Sequence, residues 1–287
     1  MGNSPRRRNA DTRHRLAIGG VAVLAVVTAG LVVAAVLPRE TPTTDASTAR
    51  VTPSAIASET PTAEPTTPTI ESRDLASVVA LLDDPAQPVT LTVIGDSTGN
   101  DGDEWVAELG RTIAADYGRT VTYSTWDVAS STYGTAVTYG TGAGEPVTIW
   151  NGSASGLGPD YSLANLPALA PQASDLLIVS HGHNFTAPNT GSAQEAEVVT
   201  ATAEQWDVTP AVAVVLQNPR TTDASAQDAN LEAVASTFAD SGYTMVDVAG
   251  AFRTQPDLAP LLQTDGTHPS ADGQALWFDT MRAALGI

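Results

Sequence analysis

An Asp-x-x-His pair near the carboxyl end of the sequence is well suited to proton transfer. The chain has four histidines, and one of them, His268, follows Asp265 by three residues. On a tight turn that leads into a helix, residues three apart lie on the same side. An Asp carboxylate there can hold the imidazole Nδ1–H and leave Nε2 free to take a proton. We therefore predict that Asp265 orients His268 as a general base; a helix cap or surface turn is the alternative.

Ser97 is the candidate nucleophile for this base. It ends the sequence Gly95-Asp96-Ser97, directly after an apolar run that predicts a buried strand. A Ser on a glycine-containing turn from strand to helix is exposed at the rim of a sheet, where its hydroxyl can meet a base. The alternative is that Asp96 or Ser97 only caps the helix that follows.

Attack on an acyl group also requires hydrogen-bond donors for the negatively charged oxygen that forms. The backbone N–H of Ser97 is one candidate donor. The backbone N–H of Gly156 is a second, because glycine lets the main chain approach closely. The side-chain amide of Asn184 is a third. A flexible loop at Gly156 and an Asx turn at Asn184 are the alternatives.

The elements that must position these residues are strands and helices in alternation. Apolar runs predict strands over 89–94, 121–125, 147–150, 176–180, 211–216 and 243–248, and helical spacing predicts helices over 103–117, 195–206, 223–240 and 270–285. Continuous apolar strands separated by helices predict a parallel sheet with helices on both faces. The candidate residues follow strands or precede the last helix, so we expect them at the carboxyl edge of this sheet, where ligands bind.

In their order and setting, these motifs resemble those of the SGNH (GDSL-type) hydrolases, a family of esterases and lipases. The similar segments are Gly-Asp-Ser at 95–97, Asn-Gly-Ser-Ala-Ser-Gly at 151–156, Gly-His-Asn at 182–184 and Asp-Gly-Thr-His at 265–268. The resemblance spans about residues 88–287. It implies an α/β fold, a three-layer α/β/α flavodoxin-like sandwich with a central parallel sheet of about five strands.

The resemblance also implies a mechanism that needs no metal or organic cofactor. His268, oriented by Asp265, deprotonates Ser97, which attacks an ester carbonyl and forms an acyl-enzyme that water releases. The oxyanion hole consists of the Ser97 and Gly156 amides and the Asn184 side chain.

The sequence departs from the family pattern at two positions. Thr98 replaces the usual Leu after the nucleophile, and Phe185 replaces the usual Asp after Asn184. Phe185, Tyr161 and His183 are possible substrate contacts, and each of them has core packing or another structural role as its alternative.

Three other functions remain open at this stage. His181, His183, Asp265 and His268 offer ligands for a zinc hydrolase. The same fold can carry an O-acetyltransferase that acts on envelope glycan, or an inactive wall-binding module. For an esterase we expect an acylated sugar, a glycan or a short-chain ester as substrate.

The composition excludes several functional classes. The chain has 32 Asp and Glu against 13 basic residues, all of them Arg, and residues 71–287 hold 27 of the acids and only six of the bases. A protein this acidic repels phosphate backbones, so we expect no nucleic-acid partner. The absence of Cys excludes disulfides, thiolate zinc sites and a cysteine nucleophile.

The first 75 residues predict a membrane anchor and a stalk. After a basic N-terminus over 1–15, an uncharged run over 16–37 has 22 residues. As a helix it is about 33 Å long, enough to cross a bilayer core of about 30 Å. The arginines before it predict a cytoplasmic N-terminus and an extracytoplasmic domain, or a secreted one if the segment is a cleaved signal peptide. Residues 38–75, rich in Thr and Pro, predict a disordered stalk, and residues 76–287 the hydrolase domain.

Overall fold

The computed structural model describes residues 73–287. The predicted N-terminus, the predicted anchor and all but the last three residues of the predicted stalk lie outside this range. Among the helices that it describes, none is both long enough and apolar enough to cross a membrane.

Strands and helices alternate along the described chain. The strands are Val89–Gly95 (β1), Val121–Asp127 (β2), Thr132–Tyr133 (β3), Val137–Tyr139 (β4), Val147–Asn151 (β5), Leu176–Ser180 (β6), Ala211–Leu216 (β7) and Thr244–Asp247 (β8). The α-helices are Leu75–Asp83 (α1), Trp105–Asp116 (α2), Pro159–Leu169 (α3), Pro188–Trp206 (α4), Ala224–Phe238 (α5), Val248–Arg253 (α6) and Ala271–Leu285 (α7), and a 3-10 turn covers Ala259–Leu261.

Six of the strands form a parallel sheet in the order β2-β5-β1-β6-β7-β8. Without β2, the order of the remaining five is the 2-1-3-4-5 order of flavodoxin-like sheets. β2 extends that sheet at one edge, and the short β3 and β4 pair with it in antiparallel fashion. The six apolar runs in the sequence thus correspond to the six parallel strands, and the count of about five was one too low.

Alternating side chains of the central strands build two hydrophobic layers. In β6, Leu176 and Ile178 belong to the core beneath α1, α2, α6 and α7, whereas Leu177 and Val179 belong to the core beneath α3, α4 and α5. All five residues of β6 are buried. Such a strand, apolar on both faces, forms where helices cover both sides of a sheet.

Several elements have no counterpart in the sequence predictions, among them α3, and helix α4 begins earlier than predicted. Helix α3 begins with Pro159 in its first turn and contains Pro167, a residue that usually marks the end of a helix. Helix α4 begins at Pro188, seven residues before the predicted start, because proline is favourable in the first turn, where its missing N–H costs nothing. Both helices lie directly after loops that carry candidate site residues.

Candidate active site

The three residues of the predicted triad lie within hydrogen-bonding distance of one another. His268 Nε2 is 2.8 Å from Ser97 Oγ, and His268 Nδ1 is 2.6 Å from Asp265 Oδ2. An ionised carboxylate can only accept, so the hydrogen lies on Nδ1, and Nε2 accepts from the Ser97 hydroxyl. This is the geometry in which a serine can lose its proton to an imidazole.

Asp265 is held in the charged form. Its hydrogen bond with His268, together with the N–H groups of Thr267 and His268, lowers the pKa of Asp265 to about 2. Both N–H groups donate to the second carboxylate oxygen, at 2.8 and 3.0 Å. Because one oxygen is occupied by the backbone and the other by the imidazole, the carboxylate has little freedom to turn away.

The turn that carries Asp265 and His268 is hydrogen-bonded to the segment that follows β7. Gly266 adopts a left-handed backbone with φ of 69°, which glycine tolerates best. Its carbonyl accepts from the Thr221 N–H at 2.8 Å, and the Thr222 hydroxyl donates to the Asp265 carbonyl at 2.9 Å. The segment after β7 therefore supports the base, a role that the sequence analysis did not assign to it.

The nucleophile follows the central strand β1, and the residue before it is tied down. Asp96 is buried, and its carboxylate accepts from the Thr98 N–H and hydroxyl at 3.1 and 2.9 Å. Gln217 also donates to it, at 3.0 Å. Asp96 is thus neither a free base nor a cap for α2, which begins eight residues after Ser97. It holds the turn that presents the Ser97 hydroxyl.

Asn184 lies after β6, on the side of β1 opposite Gly156. Its Nδ2 donates one hydrogen to Asp96 Oδ2 at 3.2 Å, and the second hydrogen remains available. Gly156 is exposed and left-handed, with φ of 73°. Within residues 73–287, no acceptor meets the N–H of Ser97 or of Gly156. The three predicted oxyanion donors therefore follow the neighbouring strands β5, β1 and β6 and retain hydrogens to donate.

Asn151, in the second motif, has a structural role. It is fully buried, and its Nδ2 donates to the Gly99 carbonyl and the Tyr123 hydroxyl, both at 2.7 Å. These bonds join β5 to the loop after Ser97 and to β2.

His181 belongs to a buried polar cluster beneath the site. Its Nε2 lies 3.1 Å from Ser162 Oγ, and its backbone N–H donates to Glu195 at 3.1 Å. Burial lowers the pKa of His181 to about 4 and raises the pKa of Glu195 to about 8, so both are neutral near pH 7. The cluster supports the start of the loop that bears Asn184.

His183 is also buried, and its contacts are with the protein. Its backbone N–H donates to Gln217 and its Nε2–H to the Asn218 carbonyl, both at 2.9 Å. Burial lowers the pKa of His183. Of the side chains proposed as zinc ligands, His181 and His183 thus contact different protein groups, and Asp265 contacts His268. Residues 73–287 contain no cluster of three side chains suited to bind a metal.

Phe185 and Tyr161, the other possible substrate contacts, are both half-buried. The Phe185 ring lies where a Cβ on Gly191 of α4 would be, so it packs its loop onto that helix. The Tyr161 hydroxyl accepts from Trp126 Nε1 at 3.0 Å. Each ring has a packing role, and its remaining exposed part is all that it can offer a substrate.

An acidic cavity of about 470 Å³ lies beside the turn of His268, between α2 and α7. Its lining includes Glu104, whose pKa burial raises to about 7, and Pro269. The other carboxylates that line it are Asp101, Asp103, Glu108 and Asp279. Neither Ser97 nor His268 lines the cavity, so it neighbours the triad without containing it.

Two residues of the site were missed by the sequence analysis, namely Gln217 and Asn218 at the end of β7. Gln217 is fully buried and contacts Asp96, the Ser180 carbonyl and the His183 N–H. Asn218 lies between His183 and the His268 turn. The available signal was that Gln217 and Asn218 are polar and follow the carboxyl end of a buried parallel strand, where ligands bind in such sheets.

Comparison with known proteins shows similarity in fold. No protein-family model and no curated protein matches the sequence. Among solved structures, TesA has 21% identity and a TM-score of 0.50, over 68% of this chain and 97% of TesA. A lipolytic protein of the G-D-S-L family from Veillonella parvula has 12% identity and a TM-score of 0.50, over 68% and 97%.

A two-domain esterase active on acetylated mannans, CEX, has 13% identity and a TM-score of 0.54. The alignment covers 74% of this chain and 52% of CEX, so the chain spans about half the length of that enzyme. The structure and these neighbours together show that residues 73–287 have the fold of the GDSL-type lipolytic hydrolases, as the four sequence motifs predicted.

Proposed function

We propose that the protein is a GDSL-type serine esterase that hydrolyses carboxylic esters through an acyl-enzyme. The observation that carries this proposal is the position of His268, whose two ring nitrogens reach Ser97 and Asp265 at 2.8 and 2.6 Å. A helix cap or a surface turn would not place the imidazole on a serine 171 residues away in the sequence.

In the proposed reaction, His268 Nε2 takes the Ser97 proton while Oγ attacks the ester carbonyl carbon. Asp265, charged at neutral pH, stabilises the imidazolium that forms. The carbonyl oxygen becomes an oxyanion, and the Ser97, Gly156 and Asn184 donors receive it. His268 then gives its proton to the departing alcohol. Water, deprotonated by the same imidazole, releases the acid and restores Ser97.

The proposed substrates are acylated sugars, acylated glycans or short-chain esters. The activity of CEX on acetylated mannans, in a protein of the same fold, supports an acetylated sugar. We place the domain outside the cytoplasm, tethered by the uncharged segment over 16–37, or secreted if that segment is cleaved. Protease treatment of intact cells, with detection of the domain before and after lysis, tests this location.

The activity test uses the full chain, purified in detergent, with p-nitrophenyl acetate as substrate. We expect turnover by the wild type and a loss of about 10³-fold or more in kcat for Ser97→Ala and for His268→Ala, because each removes a group that acts in the bond-making step. Ser155→Ala is the matched control, since Ser155 is an exposed serine in the motif that also contains Gly156.

Three outcomes would contradict the proposal. Full activity of Ser97→Ala would show that Ser97 is not the nucleophile. Loss of wild-type activity in the presence of a chelator would favour the metal hydrolase. A folded wild type that transfers the acetyl group to added glycan without releasing acetate would favour the acetyltransferase.

A further inference from the structure

We propose that Asn218 is a positioning residue with two roles. Its side chain aligns the His268 imidazole, and its backbone carbonyl fixes the segment that carries Asn184. This inference rests on the proposed esterase function. Asn218 is the second residue after β7 and is fully buried. It belongs to none of the four motifs.

The contact that matters is with the peptide unit between Thr267 and His268. Asn218 Nδ2 donates to the Thr267 carbonyl at 2.9 Å. The N–H of the same peptide unit, that of His268, donates to Asp265 at 3.0 Å. The peptide plane is therefore held at its oxygen and at its nitrogen. The Cα atom of His268 belongs to this peptide plane and carries the imidazole. The orientation of the plane therefore sets the direction from which Nε2 approaches Ser97.

The orientation of the Asn218 amide follows from its partners. Nδ2 also donates to the Pro219 carbonyl, at 2.8 Å. Both partners are carbonyl oxygens, which only accept, so the NH₂ group must face them. Asn218 Oδ1 is buried without a partner among the described residues. An unpaired buried oxygen lowers the stability of the fold. The Asn218 amide thus acts only as a donor, although its buried oxygen destabilises the protein.

The backbone of Asn218 holds the other half of the site. Its carbonyl accepts from His183 Nε2–H at 2.9 Å. His183 precedes Asn184, whose amide donates to Asp96. One residue thus contacts both the turn of the general base and the segment of the proposed oxyanion donor, and a shift of Asn218 alters the distance between them.

The test compares Asn218→Leu, which keeps the branched shape and removes the donor, with Gln227→Met. Gln227 is the matched control because it is also fully buried, also has an unpaired amide oxygen, and donates to the Asn218 carbonyl at 3.3 Å without touching Thr267. Both variants lose a buried amide, so a general loss of packing affects them alike. Activity is measured at a temperature where circular dichroism shows both to be folded.

For Asn218→Leu we expect kcat on p-nitrophenyl acetate to fall about 10- to 100-fold with KM nearly unchanged. The reason is that a shift of the His268 imidazole by about 1 Å can lower the rate by about two orders of magnitude. For Gln227→Met we expect kcat to stay within about threefold of wild type. If Asn218→Leu does not fold, Asn218→Ala takes its place, since it removes the same donor without filling the space.

A second measurement does not depend on activity. The proton between His268 Nδ1 and Asp265 gives a low-field ¹H NMR signal, assigned by its loss in His268→Ala. We expect this signal to shift or broaden in the Asn218 variants and to stay in place in Gln227→Met. Equal kcat losses in the two variants, or an unchanged signal in the Asn218 variants, would overturn the inference. An inactive wild type with the expected signal changes would instead contradict the esterase function alone.

Discussion

At the scale of single residues, the site depends on which nitrogen of His268 carries the hydrogen. The Asp265 carboxylate can only accept from Nδ1, and that leaves Nε2 to receive the Ser97 proton. An amide at position 265 can present its NH₂ group to the ring instead, which favours the wrong tautomer.

For Asp265→Asn we therefore expect kcat to fall by about 10³- to 10⁴-fold near neutral pH, with the fold unchanged. Steady-state kinetics with p-nitrophenyl acetate measure the loss, and Asp240→Asn, at an exposed carboxylate, is the control. A kcat within tenfold of wild type would show that Asp265 has no part in orienting the base.

For Asn184, kinetics can distinguish stabilisation of the oxyanion from binding of the substrate in its ground state. Its Nδ2 donates one hydrogen to Asp96, and the other is proposed for the oxyanion. Asn184→Ala should lower kcat by about 10²- to 10³-fold and leave KM nearly unchanged, because the lost bond forms only in the transition state.

Asn189→Ala, at an exposed position on α4, is the control for this substitution. If Asn184→Ala raises KM and leaves kcat unchanged, then Asn184 binds the substrate in its ground state and the oxyanion role is wrong.

At the scale of elements, the contact between α4 and the end of β6 depends on a neutral acid. Glu195 on α4 accepts from the His181 N–H, and burial raises its pKa from 4.5 to about 8. The unfolded chain loses this proton above about pH 4.5, whereas the folded chain keeps it up to about pH 8. The free energy of unfolding therefore falls as pH rises through this interval.

Glu195→Gln removes this titration and keeps an acceptor for His181. We expect the variant to gain stability over the wild type between pH 5 and pH 8, by an amount on the order of a few kcal/mol. Urea unfolding at the two pH values measures the gain, and Glu197→Gln, exposed on the same helix, is the control. An equal difference at both pH values would mean that Glu195 does not titrate in this range.

The sequence predicted the strands that lead into the motifs better than the segments that support the site from elsewhere in the chain. Strands such as 176–180 are continuous apolar runs, so their bounds could be read directly. The residues that follow β1, β5 and β6 included the nucleophile and all three proposed oxyanion donors, and the Asp-x-x-His motif before α7 supplied the rest of the triad. Asn218 and Pro219 after β7 read as an ordinary turn, because nothing local reveals that an amide will meet a carbonyl 49 residues later. Contacts of that kind depend on how the chain packs, and single-sequence patterns do not contain them.

At the scale of the whole molecule, the acidic surface should act on charged substrates. Residues 71–287 carry 27 acids against six bases, and several of the carboxylates line the cavity beside His268. Such a field slows the approach of anions, and salt screens it.

We therefore expect kcat/KM for an anionic ester, p-nitrophenyl hemisuccinate, to rise several-fold as NaCl increases from about 0.01 to about 0.5 M. The value for neutral p-nitrophenyl acetate should stay constant and serves as the control. Parallel salt profiles for the two esters would show that the acidic surface does not influence entry to the site.

The distance in sequence between Ser97 and His268 has a consequence for the timing of activity. Helix α7, which follows His268, buries Trp277 and Met281 in the core, and its Gln274 bonds to the Thr98 carbonyl and the Trp105 N–H. A chain still being synthesised carries its serine 171 residues ahead of its base. Until His268 has emerged and α7 has docked, Ser97 is an ordinary alcohol, so the serine becomes reactive only late in the folding of the domain.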